Sequence, residues 1–399
     1  MDKRQLKGYE IAKQKQIQKT ENGWLVQSQS GFGFYRVSED LICECPDAEL
    51  HKVTCKHAFA VKYYLGIEMI APDGTTATQK IRLTYPQAWS VYNQAQVAEG
   101  KLFDELLVEL LKEVDNPTHI GRGRPPMLIK DSLFVTMKKV YSQMSSRRAS
   151  SLFGTSAEKK QITHVPHFNT CSKLLNEEYL TPMLEDLLKI TALPLRTVET
   201  DFAIDSSGFR TGSWGAYREG KYPTKRRHTW LKAHICIGTK TNVITAVQIT
   251  DENGADSPQF IPLSQKTVDA GFAIKEMTAD KAYSSRNNLE FIDKFSGTVY
   301  IPFKEGSTGK PEGSRTWRRM FYYFQFNNED FMRHYHKRSN VESTFSAIKR
   351  KMGETLRSKS HSAQVNELLC KLIAYNITVV IHEMYELGIK PDFATNVIL

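Results

Sequence analysis

The sequence predicts a multidomain α/β protein, and three observations carry that reading. From about residue 199 to 360 the chain sets out three candidate strands and then alternates strands with helices. A helical region, 76–198, precedes it, and residues 1–75 hold a cysteine–histidine cluster beside glycine-punctuated strands. Residues 361–399 read as a C-terminal helical segment. With 399 residues, 40% of them hydrophobic, the chain can bury more than one core.

In the first region, Cys43-x-Cys45 is followed after nine residues by Cys55-x-His57. Three thiolates and an imidazole suit one tetrahedral structural Zn²⁺, each close pair closing one side of the ion, and four occupied positions leave no opening for water. The pattern resembles the SWIM zinc finger, C-x-C then C-x-H, with strands before it (Trp24 to Ile42) and a helix after it (AFAVKYYLG). Two chance pairs in a reduced protein are the alternative. Cys171, Cys236 and Cys370 stand alone and read as reduced core residues.

The second region begins with a helix through TYPQAWSVYNQAQVAEGKLFDELLVELLKEV, which ends before Asn116-Pro117, and continues through a linker at 115–126. Helices are expected at 131–142, 146–153 and 168–178. Together they form either a helix-turn-helix-like module for DNA ends or an ordinary amphipathic bundle. Within the linker, Arg122-Gly123-Arg124-Pro125 matches the core of a hook that lays arginines in a narrow A·T minor groove, with a plain basic spacer as the alternative.

The third region supplies acids in characteristic settings. Phe202 and Ile204 share one strand face and Asp205 lies on the other, just before Ser-Ser-Gly, which is expected to end the strand. Strands follow at 230–237 and 243–249, then a helix near 257–270 and a strand that Asp280 closes. A helix through KAYSSRNNLEFIDKF, a strand at 297–303 and a helix carrying Glu342 complete the series. This order is that of an RNase H-like fold, which sets the ends of its first and fourth strands side by side. An Asx turn or N-cap is the alternative role for such strand-end aspartates.

In YHKRSNVESTFSAIK the residues Tyr335, Arg338, Glu342 and Lys349 recur at helical spacing. At about 100° per residue they share one stripe, and Val341, Phe345, Ile348 and Met352 form an apolar stripe beside it. A solvated charged face is the plainer reading. The net charge of +10 favours a polyanionic partner, with basic clusters around Glu342 and at 218–232, although a general nucleic-acid-binding protein would show the same excess. No apolar run approaching the roughly 20 residues of a membrane span stands out, and the polar N-terminus does not suit a secretory signal, so a cytoplasmic protein is expected.

Asp-Ser-Ser-Gly at 205–208, Ala-Asp-Lys-Ala-Tyr at 279–283 and the 335–349 signature together resemble the DDE transposases of insertion sequences, in the group marked by a Tyr-Arg-Glu-Lys helix, over roughly residues 120–385. The resemblance implies that Asp205, Asp280 and Glu342 are catalytic acids holding two Mg²⁺ or Mn²⁺ ions, while Tyr335, Arg338 and Lys349 grip DNA near the scissile phosphate. It implies strand cleavage at terminal inverted repeats, strand transfer into target DNA, and a homodimer or higher oligomer on paired ends. Larger members insert a β-rich segment where this chain has only about 304–330, leaving Trp317 as its candidate for base flipping. A standalone RNase H-like nuclease and a non-catalytic DNA-binding regulator are the alternative functions.

Overall fold

In a computed structural model, residues 3–13, 17–20, 22–29, 33–65, 88–112, 114–115, 127–211, 230–310 and 313–393 are described. The chain divides into two compact units, Met1–Gln87 and Ala88–Leu399. The linker arginines Arg122 and Arg124, and the basic run at 218–227, lie outside the described residues.

In the first unit, helix α1 (Lys3–Lys13) leads into an antiparallel sheet of β1 (Ile17–Thr20), β2 (Gly23–Gln27) and β3 (Phe34–Val37), followed by α2 (Pro46–His51) and α3 (Lys56–Tyr64). Ile11, Trp24, Val26, Val37, Ala58 and Val61 bury themselves around the cysteines. Helices α1 and α3 approach so closely that a Cβ on Gly8 would lie 2.6 Å from Phe59 Cβ and 2.8 Å from the Lys56 carbonyl oxygen. Only glycine fits there.

The second unit begins with α4 (Trp89–Leu110), α5 (Ile129–Tyr141), α6 (Ser146–Glu158), α7 (Asn169–Leu175) and α8 (Leu180–Ala192). A five-stranded sheet follows, in the order β6-β5-β4-β7-β8. Its strands are β4 (Asp201–Arg210), β5 (Trp230–Gly238), β6 (Ile244–Asp251), β7 (Glu276–Ala279) and β8 (Thr298–Tyr300). Interleaved and following are α9 (Phe260–Asp269), α10 (Arg286–Asp293), α11 (Arg315–Phe326), α12 (Asn328–Tyr335), α13 (Ser339–Met352) and α14 (His361–Glu386). The meander β4–β5–β6 is antiparallel, whereas β7 pairs parallel with β4 and β8 parallel with β7.

Three local expectations change. Ser-Ser-Gly does not end β4, which continues to Arg210 because residues 206–210 stay paired with β5. The segment after Asp280 makes a 3₁₀ turn (Lys281–Tyr283) before the shorter α10. The 335–349 stretch is not one helix: α12 ends at Tyr335 and a 3₁₀ turn, His336–Arg338, joins it to α13. Trp317 is also no free base-flipping platform. It is buried, its Nε1 donates to the Thr308 carbonyl at 2.9 Å, and its ring meets Phe303 edge-on.

Helix α14 is the core of this unit. Its length and composition would suit a membrane span, but 89% of its apolar window is buried inside the protein. Residues of α4, α5 and α8, of the sheet and of α14 form one continuous hydrophobic cluster. Two buried asparagines fasten the helix. Asn366 donates to the carbonyls of Leu175 and Glu177 and accepts from Thr181 Oγ1. Asn376 accepts from Ile244 N at 2.9 Å, donates to the Ile244 carbonyl at 2.8 Å and reaches Thr191 Oγ1 at 3.1 Å, so one amide pairs the outer edge of the sheet. Asn376→Leu would strand both Ile244 groups without partners. We expect a loss of about 2–4 kcal/mol, read as a fall of several degrees in the melting temperature of the second unit.

Candidate functional site

The acidic site begins with strand register. Ile204 pairs with Ala279 across the parallel β4–β7 ladder, so the next residues, Asp205 and Asp280, follow at adjacent positions. Each carboxylate accepts the following backbone N–H, Ser206 N at 2.8 Å and Lys281 N at 2.6 Å. Asp280 thus caps a 3₁₀ turn and also stands beside Asp205.

Helix α13 brings the third acid. Val341, Phe345, Ile348 and Met352 are all buried, which turns the neighbouring stripe toward the end of β4. Arg338 joins the two elements: Nη1 donates to Asp205 Oδ2 at 2.7 Å and Nη2 to Glu342 Oε1 at 2.5 Å. The guanidinium also lies over the Tyr335 ring, 5.8 Å from its centre. Burial, with the charges of Asp280 and Glu342 adding to it, pushes the Asp205 carboxyl above its ordinary range, against the Ser206 N–H and Arg338. Acids gathered this way demand positive charge, and a hard divalent ion suits an all-oxygen donor set.

The acids are not drawn tightly together. Among the described residues, the metal-ligating sets whose donor atoms all lie within 4.8 Å are Cys43, Cys45, Cys55 and His57, and His382, Glu383 and Glu386. The second is an exposed-end helical cluster internally paired through His382. Carboxylates repel one another, and here Arg338 supplies the positive charge between two of them.

The surrounding cations divide by partner. Lys349 donates to Ser207 Oγ at 2.8 Å and lies over the Phe209 ring, and burial holds its ammonium below its ordinary value. Lys337 is bound to Asp201 and Glu276, Lys351 to Glu99 and Arg333 to Asp330. Exposed Arg350, Arg357 and Lys359 remain on the surface.

Sequence reading missed Asp256. Its Oδ1 accepts from Ser206 Oγ at 2.9 Å and pairs with Lys232 Nζ at 2.7 Å, with buried His234 Nδ1 at 3.4 Å. The only signal would have been an acid just before α9, which is common and uninformative. Buried Tyr283 belongs to the same neighbourhood, where burial and the charges of Asp256, Asp205 and Asp280 push its phenol far up.

In the first unit, Cys45 and Cys55 stand at the N-caps of α2 and α3, and His57 lies in the first turn of α3. Cys43 bridges to Val37 at the end of β3. All four side chains are buried, and His57 Nδ1 lies 3.8 Å from Cys43 Sγ and 3.9 Å from Cys55 Sγ. A tetrahedral ion with bonds of about 2.0–2.3 Å separates its ligands by roughly 3.3–3.8 Å, so the donor set fits Zn²⁺ with little adjustment. Hydrogen bonding to Cys43 pulls the Cys55 thiol down, and helix N-termini favour thiolates.

Among solved structures, the chain is similar to one in the cryo-EM structure of the piggyBac transposase synaptic complex with hairpin DNA, at a TM-score of 0.36 and 10% identity, covering 74% of this chain and 77% of that one. The segment from residue 196 to 377, which carries Asp205, Asp280 and Glu342 together, matches the family model of the transposase DDE domain.

Proposed function

We propose that the protein is a transposase of the Tyr-Arg-Glu-Lys insertion-sequence group, with an RNase H-like catalytic domain, cutting DNA at element ends and joining the freed 3′ hydroxyls to target DNA. The observation that carries this reading is the convergence of three acids from separate elements, Asp205 and Asp280 by parallel register and Glu342 through Arg338. Asp205, Asp280 and Glu342 would hold two Mg²⁺ or Mn²⁺ ions, which supply a stronger oxygen nucleophile and relieve charge on the leaving oxygen. Arg338 balances the acids and, with Tyr335 and Lys349, presents a phenol and two cations to a phosphate backbone. Lys349 is already oriented by Ser207, on the same face of β4 as Asp205.

The rest of the chain serves recognition in this proposal. Helix α5 is buried on nearly every side, but α6 keeps Arg147 and Arg148 exposed for an end-binding surface, and Arg122 and Arg124 serve as the minor-groove hook. Cys43, Cys45, Cys55 and His57 hold one structural Zn²⁺ in a SWIM-type finger. Assembly is a homodimer or higher oligomer on paired terminal repeats, in the cytoplasm.

Glu342→Gln should lower cleavage by more than about 100-fold, beyond the 10–100-fold typical of residues that only support a metal ligand, while binding to duplex ends persists. Asp205→Asn and Asp280→Asn should match it. Near-normal Mg²⁺-dependent nicking by Glu342→Gln would overturn the three-acid reading, a wild-type chain that binds duplex ends without cutting would leave the non-catalytic regulator, and cutting without joining would leave the nuclease.

Lys349→Ala should weaken end binding and cleavage by about tenfold, with partial recovery at low salt, because it removes a phosphate contact and spares the acids. The same loss at every ionic strength would instead assign Lys349 to holding β4.

Purified protein should carry about one Zn²⁺ per chain. Chelation should unprotect residues 20–65 in hydrogen exchange while nicking of short duplexes at high concentration continues. Cys55→Ser should reproduce the effect without chelator.

A further inference from the structure

Below the acidic face, the loop after α13 closes a polar cavity of about 200 Å³ between the end of α5 and the middle of α14. Lys139, Gln143, Arg357, Glu367 and Lys371 line it. Lys139 and Lys371 are 7% and 3% exposed, so both side chains run through the interior and bring their ammonium groups to the cavity. Such groups cost several kcal/mol unless something balances them.

Lys371 is balanced by backbone. Its Nζ donates to the carbonyls of Gly353 at 2.7 Å and Thr355 at 2.9 Å. Burial still holds it down to about 8, with Glu367 pulling the other way and Arg357 and Lys139 adding to the depression. Glu367 is itself committed, since its oxygens accept the backbone N–H of Arg357 at 3.0 Å and of Ser358 at 2.8 Å. Glu354, on the rim, pairs with Arg210. Lys139 differs from all of these: among the described residues its ammonium has no hydrogen-bond or ion-pair partner. A buried, unshared donor therefore opens into a cavity that holds a second buried ammonium and an exposed guanidinium.

We propose that this cavity binds a phosphate group, with Lys139 as its principal donor and Lys371 and Arg357 beside it. A phosphate supplies the missing charge and several acceptor oxygens in a space too polar for an apolar ligand. Two sources share that chemistry, inorganic phosphate and the backbone of bound DNA. The second rests on the transposase reading. Gly353 ends the helix that carries Glu342, so the cavity lies about 16 Å along α13 from that acid at 1.5 Å per residue, some five steps of one DNA strand.

The test uses the full chain and Lys139→Met, which keeps the stem and removes the charge. Exposed Lys159→Gln controls for net charge. Unliganded Lys139→Met should melt at or above the wild-type temperature, because an unbalanced buried charge is gone. Two arms separate the sources: melting in inorganic phosphate against chloride of equal ionic strength, and binding to duplex end DNA across a salt series. A phosphate-specific rise in wild type that Lys139→Met loses assigns the site to the free anion. No such rise, with Lys139→Met binding DNA about tenfold more weakly and its salt slope shallower by about 0.9 while Lys159→Gln stays near wild type, assigns it to the DNA backbone. If Lys139→Met matches wild type in both arms, or if Lys159→Gln gives equal losses, the proposal is overturned. Intact cleavage in Glu342→Gln would remove the transposase reading while leaving the phosphate arm to be judged alone.

Discussion

The acidic face depends on a single pairing register. A shift of one residue between β4 and β7 would turn Asp280 to the opposite side of the sheet from Asp205, because side chains alternate along a strand. Several contacts fix that register. Phe202 and Met277, directly paired, are fully buried, and Thr278 Oγ1 donates to the Phe202 carbonyl at 3.3 Å. At the start of the ladder the paired residues Asp201 and Glu276 both accept from Lys337, at 2.6 and 2.8 Å. Lys337 is adjacent to Arg338, so one 3₁₀ turn fastens the start of the ladder with one residue and the acids beyond its end with the next.

That arrangement explains why the signature is broken by a 3₁₀ turn. A continuous helix would set Lys337 and Arg338 about 100° apart and a 3₁₀ turn sets them about 120° apart; here Lys337 reaches Asp201 and Glu276 while Arg338 reaches Asp205. Arg338 then occupies the space between Asp205 and Glu342. The family resemblance assigns Arg338 to DNA, with a charged helix face carrying a charge pair as the plainer reading, and in the folded chain its first partners are the acids Asp205 and Glu342. A divalent ion held by Asp205 and Glu342 would compete with Arg338 for the same negative charge.

Most of what positions the acids was legible. The alternation around Phe202 and Ile204, the strands near 230–237 and 243–249, and the apolar stripe of α13 all follow from periodicity and survive in the structure. The cysteine cluster was legible because ligand chemistry restricts spacing so strongly. What escaped the sequence was decided at a distance. Ser-Ser-Gly looks like a strand end, yet partners on β5 extend the strand through it. Helix α11 lies within 304–330, a stretch to which the sequence assigned no element. Asp256 and Lys139 carry no local signal, because their importance comes from Ser206, Lys232 and Lys371, which only tertiary packing brings near.

The burial of α14 constrains how the protein comes into being. Helix α14 packs on α4, α5, α8 and β6, and Asn376 completes hydrogen bonds that Ile244 cannot satisfy elsewhere. During synthesis the ribosome therefore delivers β6 more than a hundred residues before the helix that covers it. The second unit stays open, with apolar β6 and α8 exposed, until α14 has emerged. Apolar surface left open in this way is the kind that aggregates or binds holding chaperones, and a stop codon shortly before Asn376 would remove part of the core of the second unit.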